Sequence, residues 1–139
     1  MAGRVVQINR KPETLGQHGL PKFPVESVHV SHHGLDGDFN RFRRDAKGNT
    51  PDRAIMLLPL ETIQRLNDEG WPVKPGDMGE NITTEGMPYS DFFIGGLYRV
   101  GEVVIRIAEP CTACKYLEDL PYVTKAKGVQ FVSTLTRKD

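Results

Sequence analysis

Leu97-Tyr98-Arg99-Val100-Gly101-Glu102-Val103-Val104-Ile105-Arg106-Ile107 is the stretch whose reading decides the fold. Two short runs rich in β-branched and apolar residues flank the two-residue link Gly101-Glu102. Such a link closes a β-hairpin when glycine supplies the positive φ of a tight turn. Upstream, similar runs recur at residues 5–8, 25–30 and 54–58. The run 25–30 alternates apolar and polar for most of its length, which predicts a half-buried strand. The clearest helical pattern is Leu60, Ile63 and Leu66 within residues 60–69, with Pro59 at the first turn and Gly70 at the C-terminal cap. A second short helix is expected near Thr112, ahead of Pro121. Many short strands with one or two helices predict a mainly β fold with a few helices (α+β), a mixed, twisted β-barrel.

The chain of 139 residues fits one domain and buries about two-thirds of its unfolded surface. No repeat, low-complexity segment or linker divides it, so a single domain over residues 1–139 is expected. Eighteen basic and eighteen acidic residues balance, so no global field points to nucleic acid or an anionic membrane. No apolar run approaches the roughly 20 residues of a membrane span, and the N-terminus has no signal-peptide pattern. The expectation is a cytoplasmic protein with no membrane or nucleic-acid partner and with reduced thiols.

Downstream of the hairpin runs Glu109-Pro110-Cys111-Thr112-Ala113-Cys114-Lys115-Tyr116-Leu117, which holds both cysteines of the chain. A C-x-x-C pair serves as a redox couple, a soft metal ligand or a sulfur carrier, or is simply buried as two small residues. Thioredoxin-type chemistry needs a long helix after a strand in a βαβ unit, and the surroundings here read as antiparallel. A structural zinc site needs further ligands, and His29, His32 and His33 lack finger spacing from Cys111. Asp36, Asp38 and Asn40 begin like a calcium loop, but Arg41 and Lys47 stand where it requires glycine and an acid. A tight turn is the simpler reading there. His32-His33 reads as a surface pair.

Arg41, Arg43, Arg44 and Arg53 form the densest cationic cluster, which either binds phosphate or carboxylate or is a solvated loop with scattered charges. No Walker loop and no G-x-G-x-x-G is present, so a nucleotide-binding α/β fold is not supported. In Gly76-Asp77-Met78-Gly79-Glu80-Asn81-Ile82-Thr83, Glu80 and Asn81 place two hydrogen-bonding side chains where the chain enters a strand. They either cap a turn or form the polar wall of a pocket.

Together these segments resemble the MOSC domain, named for the C-terminal domain of molybdenum cofactor sulfurases. Val5-Val6-Gln7-Ile8 is similar to the opening strand, and Gly19-Leu20-Pro21-Lys22 to the G-(V/L)-P-K that follows. Asp52-Arg53-Ala54-Ile55 resembles D-R-A-V, Gly79-Glu80-Asn81-Ile82-Thr83 resembles G-E-N-L-T, and residues 94–101 resemble the family's hairpin. Cys114 aligns with the signature cysteine. The family's H-G-G is replaced by Gly48-Asn49-Thr50-Pro51, and its closing strand is abbreviated.

The resemblance implies a mixed β-barrel that binds molybdenum cofactor (molybdopterin), with Cys114 as catalytic residue and metal ligand. It also implies Arg41, Arg43, Arg44, Arg53, Glu80, Asn81 and Cys111 as cofactor-binding residues. The implied activity is reduction of N-hydroxylated compounds, fed by a partner redox protein. The alternatives are a sulfur carrier holding a persulfide on Cys114, supplied by a cysteine desulfurase, and a non-catalytic binding module.

Overall fold

The computed structural model of the chain describes residues 3–14, 21–39 and 54–109. Within these, strands predominate: β1 (Arg4–Arg10), β2 (Phe23–Val25), β3 (Val30–Ser31), β4 (Gly34–Leu35), β5 (Leu57–Pro59), β6 (Ile82–Glu85), β7 (Leu97–Val100) and β8 (Val103–Arg106). One α-helix, α1 (Leu60–Asp68), and one 3₁₀ turn, Tyr89–Asp91, accompany them. The fold class is therefore mainly β with few helices, as expected. The four-stranded sheet runs β2-β1-β6-β5, and β3–β4 and β7–β8 form separate two-stranded ribbons. Among the described residues the sheet does not close into the anticipated barrel.

β1 is the centre of the sheet, antiparallel to both β2 and β6, while β5 runs parallel to β6. Its pairing with β6 slips between Val5 and Gln7, a β-bulge. Beyond the bulge Gln7 opposes Thr83 and Ile8 opposes Ile82. Because strand side chains alternate, Gln7, Asn9 and Thr83 share one face, and that face is polar.

The hairpin forms as its sequence predicts. Val100 pairs with Val103 across Gly101-Glu102, and Gly101 has φ +58°. The helix also matches, from Leu60 to Asp68 rather than Glu69. It ends in a Schellman arrangement, with Gly70 N–H on Asn67 O at 3.0 Å and Trp71 N–H on Leu66 O at 3.0 Å. Ile63 and Leu66 are its buried residues. Each contributes about 1.5–3 kcal/mol by leaving water. With Leu35, Val73 and Ile82 they make up the described apolar core.

Two strand expectations shift. Residues 25–30 are not one strand: β2 stops at Val25, and β3 begins at Val30. The alternation continues, but the ladder partner does not, since β2 pairs with β1 only from Phe23 to Val25. The run expected at 54–58 becomes a strand only at Leu57. Met56 is occupied otherwise: its carbonyl accepts from Asn81 N and Ile82 N, and its N–H donates to Asn81 Oδ1. The second helix expected near Thr112 lies outside the described residues.

Candidate functional site

The most concentrated polar chemistry among the described residues is a buried cluster where β1, the start of β6, Lys22 and the turn after β4 meet. Lys22 and Asp38 anchor it. Lys22 Nζ donates to Asp38 Oδ1 at 2.8 Å and Oδ2 at 2.7 Å, with side chains only 3% and 6% exposed. Nζ also reaches Phe39 O at 3.3 Å. Asp38 accepts two further bonds, from Lys11 N at 3.0 Å and Asn81 Nδ2 at 2.9 Å. A buried ion pair survives desolvation only when its remaining lone pairs and protons are met, and here they are. Burial holds the Lys22 ammonium below the usual lysine range, while Asp38 and, behind it, Glu80 pull the other way.

Asn81 is spent on structure. Its Nδ2 donates to Asp38 and to Asn9 O, and its Oδ1 accepts from Met56 N at 3.0 Å. Asp38 lies just before residues 40–53 and Met56 just after them. One amide therefore holds both ends of the stretch that contains Arg41, Arg43, Arg44 and Arg53.

Glu80 has no exposed surface. Its Oε2 accepts from Gly76 N at 2.9 Å and from the Thr83 hydroxyl at 2.9 Å. Oε1 is buried with no hydrogen-bond partner. Burial pushes the Glu80 carboxyl up, against hydrogen bonds from Gly76, its own N–H, Thr83 and Met78. Asn9, also without exposed surface, bridges the cluster through Nδ2 to Glu80 O and Thr83 Oγ1 and through Oδ1 to Gln7.

Gly76 makes this closeness possible. Lys22 N donates to Gly76 O at 2.8 Å, and a Cβ on Gly76 would run into the Lys22 carbonyl oxygen. Its φ of +94° lies in the region that side chains disfavour.

Of the residues singled out in the sequence, Glu80 and Asn81 are thus brought together, in a closed interior at 0% and 2% exposure. Arg41, Arg43, Arg44, Arg53, Cys111 and Cys114 lie outside the described residues. His32 and His33 sit exposed in the β3–β4 turn. No group of three or more His, Cys, Asp or Glu among the described residues is arranged to hold a metal ion. Lys22, Asp38 and Asn9 were not anticipated as members of one cluster. A lysine after proline and an aspartate in a turn both read as surface residues, and nothing local signals their pairing. No helix among the described residues is long and apolar enough to cross a membrane.

A family model described as the MOSC domain matches residues 29–138. Protein YiiM of Escherichia coli (strain K12) is 28% identical over 85 residues, covering 58% of this chain and 37% of that protein. The uncharacterized protein YflK of Bacillus subtilis (strain 168) is 27% identical over 112 residues, covering 75% and 50%. Among solved structures, YiiM from Geobacillus stearothermophilus aligns at a TM-score of 0.64 and 27% identity, over 91% of this chain and 62% of that one. YiiM from Escherichia coli aligns at 0.60 and 25% identity, over 94% and 58%. The chain spans half or less of the length of these curated relatives.

Proposed function

This chain belongs to the MOSC domain family, which is associated with molybdenum cofactor binding, and from that membership we propose that it binds molybdenum cofactor through Cys114 and serves as an oxidoreductase toward N-hydroxylated compounds. The observation that carries the reading is the double clamp of Asn81 on Asp38 and Met56, which fixes both approaches to the arginine-bearing stretch.

The residue types that the chain offers suit such a group. Glu80, buried and accepting from Gly76 N and the Thr83 hydroxyl, would act on the site from within the fold by fixing the turn before β6. Asn81 has neither polar atom to spare and acts on the site as a positioning residue. Arg41, Arg43, Arg44 and Arg53 would hold the pterin's phosphate through guanidinium forks. Cys114 would bind as thiolate, since the thiol is a poor ligand, and Lys115 beside it would favour the deprotonated form. Cys111 stands within the same motif and would support the ligand rather than replace it. When bound, molybdenum supplies two-electron reduction through its (IV)/(VI) couple, fed by a redox partner. The raised pKa of Glu80 suits a carboxyl that keeps its proton in a closed interior.

The test is molybdenum and pterin analysis of protein purified from a host that makes the cofactor. The expected result is near-stoichiometric molybdenum in the native chain, its loss in Cys114→Ser, and a smaller loss in Cys111→Ser. Equal retention by Cys114→Ser overturns the ligand assignment. A folded protein that carries no molybdenum, yet gains one sulfur on Cys114 after incubation with a cysteine desulfurase, would establish the sulfur-carrier alternative instead.

A further inference from the structure

Glu80 and Asn81, neighbours in the chain, are the two ends of a closed circuit of hydrogen bonds. Glu80 Oε2 accepts from Gly76 N at 2.9 Å, and Gly76 O accepts from Lys22 N at 2.8 Å. Lys22 Nζ donates to Asp38, and Asp38 Oδ2 accepts from Asn81 Nδ2 at 2.9 Å. The peptide bond between Glu80 and Asn81 completes the round. Met56 is held at the Asn81 end by two bonds, its N–H on Asn81 Oδ1 and its carbonyl accepting from Asn81 N.

Three side chains of the circuit are ionisable, and their pairing is uneven. Lys22 has three donors, and all are assigned: one to each Asp38 oxygen and one to Phe39 O. None is left for Glu80, which has no exposed surface and whose Oε1 is buried with no hydrogen-bond partner among the described residues. β1 and β6 turn neutral side chains toward the cluster, Asn9 and Thr83. In the turn itself, Lys74 is exposed, while Asp77 is 5% exposed and accepts from Lys74 N. That turn therefore adds a second acid to the interior rather than a cation.

Ionised Glu80 would be a buried carboxylate without a donor from the one ammonium nearby, which it shares with Asp38. The closed circuit suits the protonated acid. Once the proton leaves to bulk water, the charge is relieved in one of two ways. Water enters the turn before β6, or Lys22 swings from Asp38 to Glu80. The first opens the circuit at Gly76 and the second at Asp38.

We propose that Glu80 is a proton-operated lock: protonated, it keeps the circuit that ties Asp38 to Met56 shut, and on losing its proton it opens that circuit while the rest of the fold stays closed. The lock stands apart from the cofactor reading, and its test needs no cofactor.

The test is amide hydrogen exchange of the full chain, followed by NMR from about pH 4.5 to about 8 and corrected for the intrinsic pH dependence of exchange. The reporters are the N–H groups of Met56, Asn81 and Lys22, each bonded within or onto the circuit. Their opening is expected to rise by up to about tenfold per pH unit above the unfolded carboxyl value of 4.5, until Glu80 is ionised in the closed form as well. The α1 amides up to Leu66 should keep their protection over the same range. In Glu80→Gln the reporters should exchange with no such pH dependence. Reporters that stay flat in the parent, or that keep the same slope in Glu80→Gln, would overturn the proposal. So would α1 amides that follow the reporters with equal slope, because the opening would then be global unfolding. The parent's own slope, set against α1, decides the matter even if the variant does not fold.

Discussion

Lys22→Met removes a cation from the interior while keeping most of its apolar length. The Asp38 carboxylate then remains 6% exposed and is left with two donors, Lys11 N and Asn81 Nδ2. Breaking a buried pair from one side costs about 3–5 kcal/mol, and the surviving donors put this site near the lower end, about 3 kcal/mol. The unfolding entropy of a chain of 139 residues is about 0.3 kcal/mol/K, so the melting temperature should fall by about 10 °C. Lys22→Met/Asp38→Asn removes the stranded charge and keeps an acceptor for Lys11 N–H, and should recover more than half of that loss. Thermal unfolding followed by circular dichroism, with urea titration as a second measure, reads both variants. A single-variant shift below about 3 °C (about 1 kcal/mol) would refute the claim that the pair is desolvated. So would a double variant no more stable than the single one, because the penalty would then not be the unpaired carboxylate.

Glu80 supplies a pH test. Its folded-state pKa is raised by burial, so its contribution to stability is fully present below the unfolded value near 4.5 and is lost as pH rises through the folded value. Glu80→Gln, which can still accept from Gly76 N and Thr83 Oγ1, should show a flatter pH–stability curve and gain on the parent as pH rises. Parallel curves from pH 4 to 8 would show that burial does not penalise the carboxylate. Gly76→Ala places a Cβ against the Lys22 carbonyl at a φ of +94°, and should cost more than about 2 kcal/mol by denaturant unfolding. Gly95→Ala is the control: its φ is +86°, but no atom lies within 4 Å of the added methyl. Similar losses in the two variants would leave only backbone strain and dismiss the close approach.

Local features were legible and distant pairings were not. The hairpin across Gly101-Glu102 and the helix ending at Gly70 depend on neighbours within a few residues, so their sequence patterns carried them. The run 25–30 misled because a strand needs a partner as well as alternation, and β1 offers one only as far as Val25. The polar cluster joins residues 16 apart at Lys22–Asp38 and 72 apart at Asn81–Asn9. No periodicity reports such a meeting. Glu80 and Asn81 were singled out by their place ahead of a strand, where they either cap a turn or form the polar wall of a pocket. Their hydrogen bonds show the turn-bracing part of that choice, which joins residues far apart in sequence.

The grip of Asn81 on Asp38 and Met56 also bears on what the stretch between them can tolerate. A segment whose two ends are tied to one amide is, mechanically, a cassette. Its length and composition can change without disturbing the register of β1 and β6, because the knot lies outside it. Doubling such a loop adds only about 0.6 kcal/mol of closure entropy. A change in the length of residues 40–53 should therefore leave the pairing of β1 with β6 intact, because the anchor points Asp38, Asn81 and Met56 lie outside them.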